Sequence, residues 1–488
     1  MTATSRFVPA GAYEPAGADW QRMPFRFERF DADRVLVTNM VGEHLFLTTS
    51  EFEQFVSVSP PESPNLVRRL RAKHLIRPVD DDLPLELLAL KTRTRFDRLA
   101  QFTALHMFVV SLRCDHSCPY CQVSRQSTDK ARFDMSEETA ERALELVFRS
   151  PSPQIKIEFQ GGEPLLNFPL VRKIVLDAKA MNQHWSRDLS FVIATNLALL
   201  DDEVLAFCDE HDVFISTSLD GPRDLHNSNR PRPGHDSWEL AVAGIRRARE
   251  GLGVDRVSAL MTTTAGSLGR VREIVDTYLE LGLMSIFLRP LSPYGFAIKT
   301  KAHAAYDVER WLEFYEEGLA YILELNAQGA PMMELYASLA LKKMLTNVDP
   351  GYVDLASPAR IGIGAVVYNY DGDVYASDEG RMLAEMGDET FRLGNVHEDG
   401  FEEIFLAEGL LNAIEESFTW SAPMCSECVY EPYCGADPVF HHATAGDLVG
   451  HKALSAFCRR NMAVFRRVLK LYEDDALARR VFQGWVAA

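Results

Sequence analysis

Three cysteines within eight residues constrain this chain more than any other feature: Cys114-Asp115-His116-Ser117-Cys118-Pro119-Tyr120-Cys121. The run before them, Met107 to Leu112, reads as a buried strand, so the cysteines sit on the loop leaving its C-terminal end. Three thiolates at this spacing can wrap one corner of an iron–sulfur cube and leave its fourth iron open. A [4Fe–4S] cluster that only passes electrons takes four thiolates, so an open iron is a place to bind and activate a ligand. Zinc with three protein ligands and an open position is the competing reading.

A length of 488 residues calls for two or three domains. The net charge of −19 argues against nucleic acid as a partner and favours basic peptides. No apolar stretch reaches the ~18–20 residues of a membrane span, and the N-terminus lacks a signal pattern. The expectation is a cytoplasmic protein, away from membranes, with a disordered tail over 1–19. Seven of eight cysteines fall in two clusters, which fits metal ligation better than disulfides.

Alternation in Phe25 to Phe30, a hairpin over Val35–Asn39 and Glu43–Leu47, and helices through Phe52 and from Leu66 to Lys73 suggest a small winged-helix-like module over 20–80. Thr49 or Ser50 would cap the first helix. Residues 81–104 read as a linker. From 105 to 300, strand-like runs at 107–112, 155–159, 190–194, 213–218, 256–262 and 285–289 alternate with helical periodicity. Six such units imply an α/β fold, a parallel sheet curled into a partial (βα)6 barrel. Every chemically loaded motif follows a strand, at the mouth where such barrels keep their active sites. A helical connector over 301–357 leads to a region at 358–488, with a hairpin turning on Asp371-Gly372 and a closing helix over Asn461–Trp485.

Gly161-Gly162-Glu163-Pro164 follows the second strand. In register with Cys114, Cys118, Cys121 and the aromatic Tyr120, this turn resembles the radical S-adenosylmethionine (SAM) superfamily, whose open iron chelates SAM. The resemblance implies that Gly161 and Gly162 admit the SAM amino group, with Glu163 balancing its charge. It places Asn196 at the third strand end, Ser218 and Asp220 beside the SAM ribose and carboxylate, Arg230 as a carboxylate partner, and Thr262 near the adenine. Arg230 as a plain salt-bridge residue is the alternative, and Arg289 would face substrate.

Cys425, Cys428, Cys434 and Cys458 supply four thiolates, enough for a second, closed cubane, with a zinc ribbon as the alternative. The text Cys425 to Gly435 resembles the SPASM extension of radical SAM peptide-modifying enzymes. That pattern has further cysteines around 361–364, around 375–377 and just after Cys434, and none stands there. The resemblance then implies one auxiliary [4Fe–4S] cluster, the inner one being lost. Asp378 stands where sulfatase-maturing relatives carry an aspartate base, although an exposed hairpin acid is the plainer reading. Cys208 reads as a buried thiol, and His441, His442 and His451 as solvated loop residues.

Three segments, Phe25–Val56, Leu288–Ala297 and Cys434–Pro438, are similar to the larger maturase of His-Xaa-Ser peptide systems. That likeness implies a precursor peptide or protein as substrate, a reductant such as ferredoxin or flavodoxin, and a second radical SAM protein as partner. A formylglycine-forming sulfatase maturase and a non-catalytic iron–sulfur partner protein are the alternatives.

Overall fold

The computed structural model describes residues 20–57, 61, 63–100, 102–346 and 348–487, so the expected tail over 1–19 lies outside the described residues. Five parallel strands form the centre: β6 (Leu105–Ser111), β7 (Gln154–Gly161), β8 (Asp188–Thr195), β9 (Val213–Ser218) and β10 (Val257–Leu260). They follow β1 (Trp20–Arg22), β2 (Phe25–Arg29), β3 (Arg34–Asn39), β4 (His44–Thr48) and β5 (Ile76–Pro78) of the N-terminal region. Phe108, Val110, Ile157, Phe159, Ile193 and Ile215 are buried in the central sheet. Each such side chain contributes roughly 1.5–3 kcal/mol. Helices 137–149, 168–185, 202–210 and 237–252 fill the crossovers.

The expected sixth strand departs from the barrel ladder. β11 (Ser285–Ile286) pairs with β12 (Met333–Glu334) in a separate two-stranded sheet. Arg289 N donates to Phe287 O two residues back, a tight turn that consumes ladder groups, and Pro290 brings no N–H. One backbone bond, Thr263 N to Arg289 O at 2.9 Å, still holds this segment against the end of β10.

The opposite edge is where the sheet grows. β13 (Ala365–Tyr368) pairs in parallel with β6, then β14 (Asp373–Tyr375) and β15 (Arg392–Asn395) continue antiparallel, giving eight strands in all. The hairpin turns at Gly372, whose φ of 92° suits glycine. One hydrophobic core therefore runs from the barrel into the C-terminal region, with Phe108 against Tyr368 at 5.1 Å between ring centroids.

In the N-terminal region β2, β3 and β4 form an antiparallel sheet, and β5 returns to pair with β1. Val35, Val37 and Leu47 pack on Phe55, Leu66 and Leu70 of helices 49–56 and 64–72. Leu36, on the other face of β3, joins the main core, which explains the unbroken apolar run Val35-Leu36-Val37. Thr48, one residue before the expected caps, accepts from Glu51 N, and Ser63 accepts from Leu66 N. Such caps contribute about 1 kcal/mol each. The Arg26–Glu431 ion pair, 3.1 Å apart with side chains 3% and 1% exposed, locks this sheet to the second cysteine region. Thr38 Oγ1 to Val429 O (2.9 Å) and Tyr433 Oη to Gly42 O (2.7 Å) reinforce the lock.

Two further expectations are corrected. The linker over 81–104 contains a helix, Leu83–Phe96, and the single closing helix is two, Ala456–Asp474 and Ala476–Ala487. Asp475 breaks them by turning its carboxylate onto the N–H groups of Leu477 and Ala478. Among the described residues no helix is long and apolar enough to cross a membrane.

Candidate active site

The cysteine loop is held from three sides. At its start, Arg113 forms a two-pronged pair with Asp134 (both contacts 2.7 Å), and Ser111 Oγ donates to the same carboxylate. Gly162 N donates to Ser111 O and Glu163 N to Arg113 O, each at 2.8 Å. A Cβ on Gly161 or Gly162 would overlap the Ser111 or Arg113 carbonyl. The two glycines therefore let the end of β7 lie against the cysteine loop, which is a structural demand of the chain itself. On the far side, Phe296 N donates to Cys121 O at 2.7 Å, with Gly295 (φ 58°) packed on Gln122 O. Ser117 N donates to Pro231 O at 2.7 Å.

Cys114, Cys118 and Cys121 open on one cavity of about 260 Å³ at the C-terminal ends of β7 to β10. Tyr120, Gly161, Gly162, Asn196, Ser218, Arg230 and Thr262 share its wall, and Arg289 and Asp378 reach it from elsewhere in the chain. Burial pushes the Cys118 thiol up to about 12 and Cys114 higher still. These thiols would ligate as thiolates, since a bound cation offsets the burial penalty on their charge. Thiolates on one zinc at ~2.3 Å would all lie within ~4.6 Å of one another. The three sulfurs do not converge so closely: among the described residues the one group within 4.8 Å is Cys114, Asp115 and His116. Three thiols on one cavity are the donor set of an iron–sulfur cluster that leaves one iron open. Asp115 and His116 are occupied by each other (2.9 Å) and by Asn196 Nδ2 (2.8 and 2.9 Å).

Two expected ligand-facing acids stand behind the cavity wall. Glu163, fully buried, accepts from Thr195 Oγ1 (2.7 Å), Asn196 N (2.8 Å) and Leu165 N (3.0 Å). Burial pushes its carboxyl up to about 7 against these bonds. It knits β7 to the end of β8. Asp220, equally buried, accepts from Tyr120 Oη (2.6 Å), Arg230 Nε (3.0 Å) and Nη2 (3.2 Å), and Thr262 N (3.3 Å). Its own N–H donates to His226 Nδ1, and burial holds that imidazole near 4, hence neutral. Arg230 also lies over the Tyr120 ring at 5.5 Å. Arg230 thus pairs with Asp220 while lining the cavity wall, and does not lie on the surface.

Asp378 is no exposed hairpin acid. Ser377 Oγ accepts from Gly380 N and starts the helix Asp378–Ala384, and Asp378, 16% exposed, accepts from Arg381 Nε at 3.2 Å. The next residue, Glu379, lines a second, inner chamber that shares Arg289 with the first cavity. Asp354, Asp437 and Arg460 also line it. None of these four was singled out from sequence; the acid doublet Asp378-Glu379 was the available signal.

Cys425, Cys428, Cys434 and Cys458 line a separate cavity of about 290 Å³ beside Phe27 and Glu28 of β2. Ser455 Oγ accepts from Cys458 N and starts its helix. Asn461 Nδ2 donates to Cys434 Sγ at 3.5 Å, and Lys343 Nζ donates to Cys434 O at 3.1 Å. Four thiols on one cavity are the donor set of a closed cubane. Cys208 is a buried thiol, as expected. His441 is 2% exposed, bonded to Asp437 O and Ser455 Oγ, and His442 meets Asp388 at 2.7 Å, so neither is a solvated loop residue; His451 is exposed.

The Radical SAM superfamily model matches residues 108–276. An uncharacterized protein of Methanothermobacter thermautotrophicus is 30% identical over 228 residues, 45% of this chain and 79% of that protein. The chain belongs to the radical SAM superfamily, enzymes that use SAM with a [4Fe–4S] cluster. The cysteine-type anaerobic sulfatase-maturating enzyme of Clostridium perfringens is 22% identical over 340 residues, 66% of this chain and 84% of that enzyme. Among solved structures, native anSMEcpe with bound AdoMet and Kp18Cys peptide superposes with a TM-score of 0.63 at 18% identity, covering 79% of this chain and 99% of that one. Streptococcus suis SuiB bound to precursor peptide SuiA gives 0.53 at 15% identity, covering 89% and 98%. These likenesses share the α/β fold.

Proposed function

We propose that this chain is a peptide maturase that modifies a side chain of a ribosomally made substrate in the 260 Å³ cavity. The observation that carries this reading is convergence: three cysteines, the ends of four successive strands, and two charged residues from later in the chain face one space. Cys114, Cys118 and Cys121 would hold the cluster, and the wall from Tyr120 to Thr262 would hold SAM. When bound, these groups supply a carbon-centred radical able to take a hydrogen atom from an unactivated C–H bond. The chain's own part is to orient the substrate beside that radical and to keep water out. Asp220 fixes Tyr120 and Arg230 in the wall, and the glycine turn fixes the cysteine loop.

Support for a peptide substrate comes from the peptide-bound relatives of the same fold and from the net charge of −19, which attracts basic peptides. In this reading residues 20–80 are a winged-helix-like recognition module whose free strand edge pairs with a leader segment. Residues 358–488 are a SPASM-like extension with one auxiliary cluster on Cys425, Cys428, Cys434 and Cys458. The system is of the His-Xaa-Ser type, cytoplasmic, reduced by a ferredoxin or flavodoxin and working with a second radical SAM protein. Oxidation of a sulfatase cysteine or serine is the second reading, favoured by the extent of the match to the C. perfringens enzyme.

Co-expression with a candidate precursor, followed by mass spectrometry, tests the proposal. A mass change in the precursor that disappears with Cys114→Ala is expected. An unmodified precursor together with a formylglycine-bearing sulfatase would replace the first reading by the second.

A further inference from the structure

The inner chamber is a polar space of about 30 Å³ walled by aromatic rings. That is room for ordered water, which needs ~10–15 Å³ and two to four polar partners. Two buried donors on its lining residues have no partner among the described residues, Tyr294 Oη and Trp311 Nε1, on residues 1% and 2% exposed. Three acids line it. Tyr352 Oη donates to Asp354 at 2.9 Å, and Asp437 caps its helix through Phe440 N at 2.9 Å. Glu379 has only Arg289, at 3.9 Å, and no hydrogen bond among the described residues. Successive helical residues project about 100° apart, so Asp378 faces the SAM-type cavity while Glu379 faces the chamber. Arg289 forms part of both walls.

We propose that the inner chamber is the proton outlet of the reaction cavity and that the Glu379 carboxylate is its proton acceptor. The inference rests on the maturase reading, since a side chain that forms a new bond or double bond after losing a hydrogen atom must also shed a proton and one electron. In that reading the electron goes to the oxidised iron–sulfur cluster that Cys425, Cys428, Cys434 and Cys458 would hold. In the step, an X–H bond of the substrate breaks and an O–H bond forms on Glu379, directly or across one water. The substrate keeps the bonding pair, and Glu379 goes from anion to neutral acid. Asp378 is less suited, because its carboxylate is already taken up by Arg381.

The surroundings tune Glu379 for this task. Burial, with Asp354, Asp378 and Asp437 facing it, raises its carboxyl to about 8, while Arg289 opposes the rise. Arg460 and the phenols of Tyr294, Tyr336 and Tyr352 complete the charged and titratable groups that line the chamber. An acceptor poised near neutrality both takes and releases a proton. The three acids do not converge within 4.8 Å as ligands of one cation would.

The test compares wild type with Glu379→Gln and Glu379→Asp in loaded enzyme with peptide. The expected result is at least a ~100-fold fall in product formed per 5′-deoxyadenosine for Glu379→Gln, within the range of acid–base effects, with partial recovery in Glu379→Asp. Wild-type product yield should rise with pH through about 8, and that inflection should vanish in Glu379→Gln. Unchanged yield and inflection would overturn the proposal. A substrate-free arm separates this outcome from failure of the maturase reading: infrared difference spectra between pH 6 and pH 10 should show a protonated carboxyl that Glu379→Gln removes. A Glu379 already ionised at pH 6 overturns the proposal even if wild type modifies no peptide.

Discussion

The Tyr120 hydroxyl donates to the Asp220 carboxylate at 2.6 Å, joining the residue before the third cysteine to the turn that ends β9. Because Asp220 is fully buried and also grips Arg230, one carboxylate fixes both the cysteine loop and a cation in the cavity wall. Replacing Asp220 with Asn leaves Arg230 buried without its counter-charge, which costs about 3–5 kcal/mol. Tyr120→Phe removes one charge-assisted hydrogen bond, about 1.5–3 kcal/mol. Denaturant unfolding should rank the two in that order, and a larger loss for Tyr120→Phe would contradict the assignment.

Gly162→Ala should lower iron content far more than global stability. The added methyl meets the Arg113 carbonyl at the root of the cysteine loop, so the loop must shift and the cysteines with it. Iron analysis after anaerobic reconstitution checks this. Gly251→Ala, where a Cβ meets nothing within 4 Å, is the control and should load normally.

Two cubanes imply about eight irons per chain, and Cys425→Ala should reduce this to about four without removing SAM cleavage. Asn461 donates to Cys434 Sγ, and hydrogen bonds to cluster sulfurs raise the reduction potential. Asn461→Leu should therefore make the auxiliary cluster harder to reduce while leaving the other cluster unchanged. Potentiometry followed by electron paramagnetic resonance reads both.

Arg26→Met alone should destabilise the protein by about 3–5 kcal/mol, because Glu431 is left buried and unpaired. The double variant with Glu431→Met should recover most of that loss. An additive double variant, measured by denaturant unfolding, would show that the pair does not carry the docking of the N-terminal sheet.

His106 is fully buried between Thr103 O and the Tyr368 hydroxyl, and burial holds its imidazole near 4. A folded pKa below the unfolded ~6.5 means that the unfolded chain binds the proton first. Stability from this group is full above about 6.5 and is lost as pH falls toward 4. His106→Gln should flatten the slope of stability against pH in that window by one proton, about 1.4 kcal/mol per pH unit. An unchanged slope would mean that His106 is charged in the folded protein.

The sequence made the strand ends legible because each motif follows an apolar run and because the cysteines carry their own spacing. It also led to the correct hairpin at Gly372, since Asp-Gly between alternating apolar residues has one economical turn. What it hid were long-range assignments. The pairing of β13 with β6 unites segments 260 residues apart, and no local pattern reports it. The loss of the sixth barrel strand depends on the turn at Phe287–Arg289 and on the competing partner β12. The helix over Leu83–Phe96 was missed because only Leu88 is buried, so it shows little apolar periodicity. Glu163 and Asp220 belonged to the right neighbourhood, yet their bonds run behind the wall to Thr195, Asn196, Tyr120 and Arg230.

The decisive measurement is 5′-deoxyadenosine release by anaerobically reconstituted protein given SAM and dithionite, run beside Cys114→Ala. Release from the intact chain and background from the variant are the expected result. Equal release from both, or none from either despite a full iron complement, would contradict it.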